Sequence, residues 1–580
     1  MSKVDRQDFG GNDEAQSEVG SAPVSIGEAF PLSPAQLGIW YAQHLDPDVP
    51  INIAQYVDLR GTLDPATLSL AFSETARELG SGVLRIVEHD GQPWQYVDAG
   101  FVNSVRHIDL RGTSDAEAAA LQWMRADYGR PLDLLTDQLV HSVTLRLSDD
   151  RWFWYVRAHH IAMDGFGAMV NLQRVAERYT AYVSGARVPA AKIPQLRELV
   201  DAELAYSESA RFESDRRYWA EKVAGLEAGS GLTGRTAPPA AVNQVVSAEL
   251  AEDHHAELSA AVARFESSAA GVLLAAFATY LAQWTGTEEV ILSLPVTGRV
   301  TAAMRRAGGA TSNIVPLRLR VGFDTTIAEL LAQVQLEVSG ALRHQRYRHE
   351  DIRRDTAGDG VVSTEFFGPW VNIMLFHDLL TFGELTGRMH VLSTGSIEDL
   401  GVNFYQTDDG TRIDFETNPN LYSDNETRVH HARFLEFLRR FAAAEAGAAV
   451  WSLPITTDSE LDRTLAAWND ADHDVPATTL PVLLDRQIEA TPKHVALCFE
   501  DDTLTYAEFG ARVNRLARRL IADGVGPESL VALGMRRSLD LVIGMHAVLR
   551  AGGAYVPIDP DHPVERTAYI LDSADPVCVL

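Results

Sequence analysis

The chain has 580 residues, 80 of them acidic and 50 basic, and its formal net charge at pH 7 is −30. This charge argues against nonspecific binding to nucleic acid or to an anionic membrane. With only Cys498 and Cys578, no signal peptide and no membrane-spanning apolar run, the sequence indicates neither a disulfide framework nor an integral membrane protein. We therefore expect a cytoplasmic protein of several domains.

The chain begins with a region of low complexity. Residues 1–27 are rich in Gly, Ser, Asp and Glu and lack periodicity, which predicts a disordered tail. Helical and strand patterns then alternate up to about residue 190, followed by a polar helical connection. A loop at residues 231–243, which contains Gly234 and two adjacent prolines, is predicted to separate this half from the next.

A strand, a short polar loop and a helix follow one another in the first half. Residues 152–158 are aromatic and β-branched, which is typical of a half-buried strand. Apolar side chains recur at helical spacing over residues 166–183. His159, His160 and Asp164 therefore lie at a strand–loop–helix corner.

This corner carries side chains suited to acid–base chemistry. Adjacent residues of an extended segment point to opposite faces, so one histidine should face a cavity, and we predict that it is His160. Imidazole, with a pKa of about 6.5, can accept a proton or bond an amine near neutral pH. Asp164 should bond the loop backbone and a cation, and Gly165 should adopt a conformation that other residues resist. The alternative is that His159 and His160 are core residues ending a strand.

The second half is predicted to open with a long helical region at residues 250–284 and a strand at 290–294. Five arginines follow further on and form a basic cluster. They are Arg343, Arg346, Arg348, Arg353 and Arg354. The cluster could bind an acidic partner or a carrier protein, or it could be a solvated helix face.

The character of the sequence changes near residue 449. Residues 449–478 are predicted to be a linker, and a new α/β segment occupies 479–580. In it, Gly552-Gly553 predicts a turn between a helix and a strand at about 554–558, and no Gly-Lys-Ser follows that would make it a phosphate-binding loop. The apolar run 577–580 indicates a further strand.

Several motifs tie the chain to a known family. Two adjacent histidines, three intervening residues and Asp164-Gly165 resemble the His-His-x-x-x-Asp-Gly motif of the condensation domains of nonribosomal peptide synthetases. Other segments are similar to further condensation motifs, the last of them only loosely: Leu32–Trp40, Val296–Arg299, Asn313–Arg318, His344–Glu350 and Phe367–Asn372. Residues 504–509 and 549–560 resemble the first two motifs of adenylation domains.

The resemblance implies an α/β fold with two lobes like chloramphenicol acetyltransferase. Residues 28–448 would form this condensation domain, with lobes at about 28–190 and 245–448. Residues 479–580 would be the N-terminal part of an α/β adenylation domain. Because the sequence stops before the phosphate loop and substrate pocket of such a domain, we expect it to be a fragment without adenylation activity.

The resemblance also implies the chemistry. His160 and His159 would be the catalytic residues in amide formation between an acyl donor thioester and the amine of an aminoacyl thioester. Asp164, Gly165 and Arg299 would be structural at the active site, with Asp164 and Arg299 paired across the lobes. Both substrates would ride on phosphopantetheine arms of carrier proteins, and no bound cofactor or metal is expected. The residues that bind substrate are not predicted.

Departures from the family motifs bear on the donor. Gly38 stands where the family usually has Arg. Of a second family motif, Arg-His-Glu-x-Leu-Arg, only parts are present, at residues 77–79 and 84–85. With these altered motifs, the sequence resembles condensation domains of siderophore synthesis that take an aryl donor. If Met1 is the natural start, the donor arrives on a separate aryl carrier protein. A peptidyl donor and a non-catalytic recruitment module are the alternatives.

Overall fold

The computed structural model describes residues 29–226, 231–357, 368–374, 379–407, 410–469 and 474–580. The chain forms two compact units, divided between Thr464 and Leu465. The predicted tail at residues 1–27, and Phe367 of the loosest motif, lie outside the described residues.

The first lobe packs helices against a sheet. Its elements are β1 (Phe30–Pro31), α1 (Pro34–Leu45), β2 (Asn52–Arg60), α2 (Pro65–Leu79), β3 (Leu84–His89), β4 (Gln92–Val97), β5 (Arg106–Asp109), α3 (Ala116–Tyr128), β6 (Val140–Arg146), β7 (Arg151–His159) and α4 (Gly165–Ser184). Strand β7 lies between β2 and β6, antiparallel to both. Trp154 of β7 and Leu172 of α4 are buried in one core, so the strand and helix of the predicted corner pack together.

Two helices, α5 (Leu196–Ser207) and α6 (Ala210–Lys222), lead to the second lobe. That lobe contains β8 (Gln244–Glu249), α7 (Glu252–Arg264), α8 (Ala269–Thr285), β9 (Glu289–Val296), β10 (Asn313–Arg320), α9 (Ile327–Arg343), α10 (His349–Ala357), β11 (Trp370–Met374), β14 (Leu400–Thr407), β15 (Gly410–Thr417), α11 (Asp424–Ala443) and α12 (Asp458–Asp462). Its sheet has the order β10-β9-β11-β14-β15-β8.

Two strands leave the second lobe and join the first. Strands β12 (Leu379–Phe382) and β13 (Leu385–Thr394) extend the first lobe's sheet to the order β12-β13-β2-β7-β6-β5. Strand β13 pairs with β2 from Thr386 opposite Arg60 to Thr394 opposite Ile53, with a register shift between Val391 and Ser393. The prediction that residues 245–448 form one lobe is therefore wrong for residues 379–394.

The helical region predicted at 250–284 is two helices rather than one. Glu266 has a left-handed backbone, with φ of 50°, and the Ser268 side chain accepts a hydrogen bond from Gly271 N–H to cap α8. Helices α7 and α8 are bent by 102° at this break. No single helix of the described residues is long and apolar enough to cross a membrane, although this bent pair passes the same test by length and composition.

The predicted linker begins too early. Ala449 bridges to Thr326, Val450 is buried in the second lobe, and the Trp451 indole N–H donates to Val321 O at 2.7 Å. Residues 449–464 therefore belong to the first unit, because their apolar side chains complete its core, while residues 470–473 of the linker lie outside the described residues.

The second unit has a small core of its own. It contains α13 (Leu480–Ala490), β16 (Val495–Phe499), β17 (Asp502–Thr505), α14 (Tyr506–Ala522), β18 (Leu530–Leu533), α15 (Leu539–Ala551), β19 (Ala554–Pro557), α16 (Val564–Ala574) and β20 (Cys578–Val579). As predicted, Gly552 caps α15 with φ of 90° before β19, and the terminal apolar run forms a strand.

Candidate active site

The predicted corner is formed by β7, a five-residue loop and α4. Strand β7 ends at His159, and α4 begins at Gly165. The His160 N–H donates to Ile51 O at 2.9 Å, and the Ala162 N–H donates to His159 O at 2.9 Å, so the loop turns tightly beneath the strand. The histidines are thus held on a rigid strand end rather than on a long loop.

His159 is fully enclosed and both of its ring nitrogens are engaged. Its Nδ1 accepts from Ile161 N–H at 3.2 Å, so Nε2 carries the proton and donates to Gln43 Oε1 at 3.0 Å. Burial lowers the pKa of His159 to about 3, and the ring is neutral. Neither nitrogen is left for a substrate. No local sequence pattern marked Gln43 as the partner of this ring.

His160 differs from its neighbour. Its side chain is only partly enclosed, but its Nδ1 is shielded from solvent and has no hydrogen-bond partner among the residues that the structure describes. Burial of the ring lowers its pKa, while the charge of Asp164 acts in the opposite direction. His160 is therefore a neutral imidazole at neutral pH, and a substrate can reach it only at the edge of the ring away from Nδ1.

A cavity of about 210 Å³ lies between the lobes close to His160. Its lining comes from both lobes: Ala42, Asp46, Val49, Ile51, Pro239, Ser293, Ile314, His349, Arg353, Trp370, Ser396 and Glu398. His160 is not itself part of the lining, but it bonds the backbone of Ile51, and Gly395, beside Ser396, lies against its ring. The cavity can hold a small acyl or amino acid group next to the imidazole.

Asp164 and Arg299 form a buried ion pair between the lobes. The distance from Asp164 Oδ2 to Arg299 Nη1 is 2.7 Å, and the side chains are 1% and 0% exposed. Oδ2 also accepts from the N–H groups of Thr311 and Ser312, both at 2.9 Å, while Oδ1 accepts from Gly167 N–H at 2.7 Å and caps α4. Burial alone would raise the pKa of Asp164, but Arg299 and these donors hold it below its usual value.

The two glycines at the start of α4 have different surroundings. Gly165 is not in the left-handed region, and an added Cβ there would meet nothing within 4 Å. The expectation that it adopts a conformation closed to other residues is wrong, because it is the first residue of a regular helix. At Gly167, an added Cβ would lie 2.7 Å from Gly308 O and 2.9 Å from Gly309 O. This close approach of two backbones is the constraint, and the Gly308-Gly309 pair was its signal in the sequence.

The basic cluster is not one solvated face. Arg346 pairs with Glu203 at 3.0 Å and stacks over Tyr206, and Arg348 donates to Ser312 O at 2.7 Å. Arg353 lines the cavity, whereas Arg354 is exposed. The cluster divides because Arg346, in the turn before α10, bonds α5, whereas α10 itself packs against α6 and β10.

A side chain of the second lobe fills the space beside Gly38. A Cβ at residue 38 would lie 2.2 Å from Glu350 Oε1, so the glutamate carboxylate occupies the space of a side chain at that position. Among the described residues, no group of three or more His, Cys, Asp or Glu is arranged to hold a metal ion.

Comparison with known proteins places this site in a family. Residues 26–460 match the family described as Condensation domain, and residues 484–580 match the family described as AMP-binding enzyme. The chain belongs to the condensation domains of nonribosomal peptide synthetases. Its C-terminal residues are part of an adenylation domain, and condensation domains of this family catalyse amide bond formation.

Solved condensation domains have the same fold. The first condensation domain of the calcium-dependent antibiotic synthetase, in complex with a substrate analogue, is 32% identical, with a TM-score of 0.69 over 74% of this chain and 99% of that one. The starter condensation domain of rhizomide synthetase, a mutant in complex with C8-CoA and Leu-SNAC, is 33% identical, with a TM-score of 0.69 over 74% and 97%. The predicted two-lobed α/β fold is confirmed.

Three curated relatives are longer synthetases. A dimodular nonribosomal peptide synthase of Bacillus subtilis is 34% identical over 95% of this chain and 23% of its own length. An isonitrile lipopeptide synthase of Streptomyces coeruleorubidus is 37% identical over 95% and 37%, and enterobactin synthase component F of Escherichia coli K12 is 28% identical over 95% and 43%. The chain therefore spans less than half the length of each of these relatives.

Proposed function

We propose that this condensation domain joins an acyl donor thioester to the amine of an aminoacyl thioester. The amine nitrogen attacks the donor carbonyl carbon, the C–S bond breaks, and the donor carrier leaves as a thiol while the amine loses its proton. The observation that carries the proposal is the half-buried His160 ring beside a cavity between the lobes.

His160 is the catalytic residue in this proposal. Because burial lowers its pKa below about 6.5, the ring is neutral at pH 7 and can orient the attacking amine and take its proton. The cavity next to the ring would hold one reacting group close to the other, which lowers the barrier further. His159, with both nitrogens engaged, supports the loop instead of touching substrate.

Asp164, Gly165 and Arg299 have structural roles. The Asp164 carboxylate joins the N-terminus of α4 to Arg299 and to the Thr311–Ser312 backbone, so it fixes the corner against the second lobe. At Gly165 the absence of a side chain leaves open space at the exposed start of α4.

The substrates would be delivered on phosphopantetheine arms by two carriers. An upstream aryl carrier on a separate chain would present the donor, and a downstream peptidyl carrier would present the acceptor. The setting would be siderophore synthesis in the cytoplasm, with 2,3-dihydroxybenzoyl or salicyl as donor. The similarity to enterobactin synthase component F and the altered motif around Gly38 support this proposal.

A fatty acyl donor is the second candidate. The lipopeptide synthase is more similar in sequence than the enterobactin synthase, 37% against 28%, and the rhizomide starter domain is a solved neighbour in complex with C8-CoA. A peptidyl donor and a non-catalytic recruitment role are the remaining alternatives.

A competition experiment tests the donor and the chemistry together. The chain is mixed with an aminoacyl-loaded carrier and equal amounts of salicyl-, octanoyl- and peptidyl-loaded carriers, and the amides are quantified by mass spectrometry. We expect the salicyl amide to dominate and His160→Ala to lower its rate by about 100-fold. His89→Ala, an exposed histidine at the end of β3, is the matched control. If the octanoyl or peptidyl amide dominates, the donor is fatty acyl or peptidyl rather than aryl. If no amide forms from any donor, the condensation proposal is overturned.

A further inference from the structure

Glu416, on β15, is a buried carboxyl group held by three side chains from distant segments. It is 3% exposed. Its Oε1 accepts from Asn243 Nδ2 at 2.8 Å, and its Oε2 accepts from Thr394 Oγ1 at 2.9 Å and Asn403 Nδ2 at 3.2 Å. These partners come from the loop before β8, the end of the crossing strand β13, and β14. Glu416 thus joins the second lobe to the chain that returns from the first.

The chemistry of these contacts is uniform, since every partner donates to the carboxylate. Burial raises the pKa of Glu416, and the hydrogen bonds from Asn243, Thr394 and Asn403 oppose that rise. Burying a carboxyl group costs free energy that an apolar side chain would not cost.

Residues 394–398, which we call the strap, connect the contacts of Glu416 to the surroundings of His160. Asn243 Nδ2 also donates to Gly395 O at 2.8 Å, and Asn243 Oδ1 accepts from Ile397 N–H at 3.4 Å. The Asn243 amide is thereby held in one orientation, since turning it over would lose both backbone contacts.

Gly395 lies directly against the candidate catalytic ring. Its φ is 113°, a conformation that favours glycine, and a Cβ built on it would lie 3.7 Å from His160 Cδ2. Its N–H donates to Ser393 Oγ at 3.2 Å. The strap also supplies Ser396 and Glu398 to the lining of the cavity. A shift of the strap would therefore move both one wall of the cavity and the backbone next to the imidazole.

We infer that Glu416 is a positioning residue for condensation, which holds the strap against the His160 ring through Thr394 and Asn243. The inference rests on the function proposed above. Replacing the carboxylate by an amide keeps its size but turns one acceptor into a donor, which must face the Nδ2 donor of either Asn243 or Asn403. The strap should then shift while the fold persists.

Two variants and a matched control isolate this effect. Glu416→Gln removes one acceptor, and Thr394→Val removes a single donor with little change in shape. Asp414→Asn is the control, because Asp414 is a buried carboxyl group on the same strand whose ion pair is with Arg412, not with the strap. We expect Glu416→Gln to lower kcat for amide formation by about tenfold with KM for the acceptor unchanged, Thr394→Val to lower it less, and Asp414→Asn to leave it unchanged.

A double-mutant cycle separates positioning from general damage. If Glu416 acts through His160, Glu416→Gln should lower kcat no further in the His160→Ala background. Losses that multiply in the double variant would overturn the inference.

A readout independent of activity keeps the inference distinct from the proposed function. In the full chain labelled with ¹³C-histidine, the Cδ2–Hδ2 signal of His160 is assigned by its absence in His160→Ala. We expect this signal to move in Glu416→Gln and to stay in place in Asp414→Asn. An unmoved signal in Glu416→Gln would overturn the inference even in an active enzyme. If the wild-type chain forms no amide, the proposed function fails and this signal still decides the role of Glu416.

Discussion

The two units differ in how deeply their polar side chains are buried. Among the described residues, every buried polar or charged side chain belongs to the first unit. Its ion pair Asp164–Arg299 has side chains 1% and 0% exposed, whereas the pair Arg536–Asp561 of the second unit is 72% and 62% exposed. A buried polar group fixes the position of its partners because leaving them unpaired is costly, whereas an exposed pair constrains little. Buried polar contacts thus specify a site in the first unit, whereas the polar contacts of the second unit are half-buried at most, as in the pair Arg550–Asp485.

Removing one cation from each unit tests this contrast most strongly. Arg299→Ala leaves the Asp164 carboxylate buried without its counter-charge, so we expect the free energy of unfolding of the first unit to fall by roughly 3–5 kcal/mol. Arg536→Ala should lower that of the second unit by less than about 1 kcal/mol. Urea denaturation with hydrogen exchange read by mass spectrometry assigns each loss to its unit. Equal losses would remove the distinction between the two pairs.

Acid should destabilise the first unit more than the second. Burial lowers the pKa of His159 to about 3 and that of His430 to about 4, so between pH 6.5 and 4 the unfolded state binds more protons than the folded state. Stability is therefore lost as the pH falls, by roughly 2 kcal/mol for each of these histidines at pH 5. In the second unit, burial also lowers the pKa of His546, whose side chain is only half-buried.

The same exchange experiment at pH 7 and pH 5 measures this difference. The control is His430→Gln, which removes one titrating group and should flatten the pH dependence of the first unit. A pH dependence that is equal in the two units would contradict the assignment of neutral buried histidines to the first.

Glycine substitutions test the packing at the corner and give the smallest effect. Gly167→Ala would push a Cβ into the backbone oxygens of Gly308 and Gly309, and we expect a loss of about 1–3 kcal/mol. Gly165→Ala meets nothing within 4 Å and should be close to neutral for stability. In the second unit, an alanine at Gly544 would first meet Leu533 at 3.4 Å and should be tolerated. Thermal unfolding of the three variants gives their order, and a costly Gly165→Ala would reverse it.

The sequence predicts what local pattern can encode. The aromatic strand and amphipathic helix around His160, and the glycine turn before β19, follow from spacing and turn chemistry, and the structure has them where expected. The alternation along a strand also indicated correctly that the two neighbouring histidines have unlike surroundings.

Contacts between distant segments could not be predicted in this way. The bond from Gln43 to His159, the hub at Glu416 and the close approach of Gly167 to Gly308 each depend on packing between parts of the chain that share no local pattern. The prediction of the lobe boundary was wrong for the same reason. Strand β13 alternates like any half-buried strand, and nothing in its own residues says which sheet it joins.

The crossing of β13 into the first lobe has a consequence for how the molecule forms. The hydrogen bond from Ser393 to Asn52 O closes a loop of 341 residues, so the edge of β2 stays uncovered until nearly the whole first unit has been synthesised. Contacts of such long range are slow to form, and an open strand edge is a place where nascent chains aggregate. The sheet of the first lobe can therefore be completed only after β13 has been synthesised. A hybrid synthetase joined in the loop between the lobes would exchange β13 along with the second lobe, so its recombined first sheet would carry a strand from the other parent.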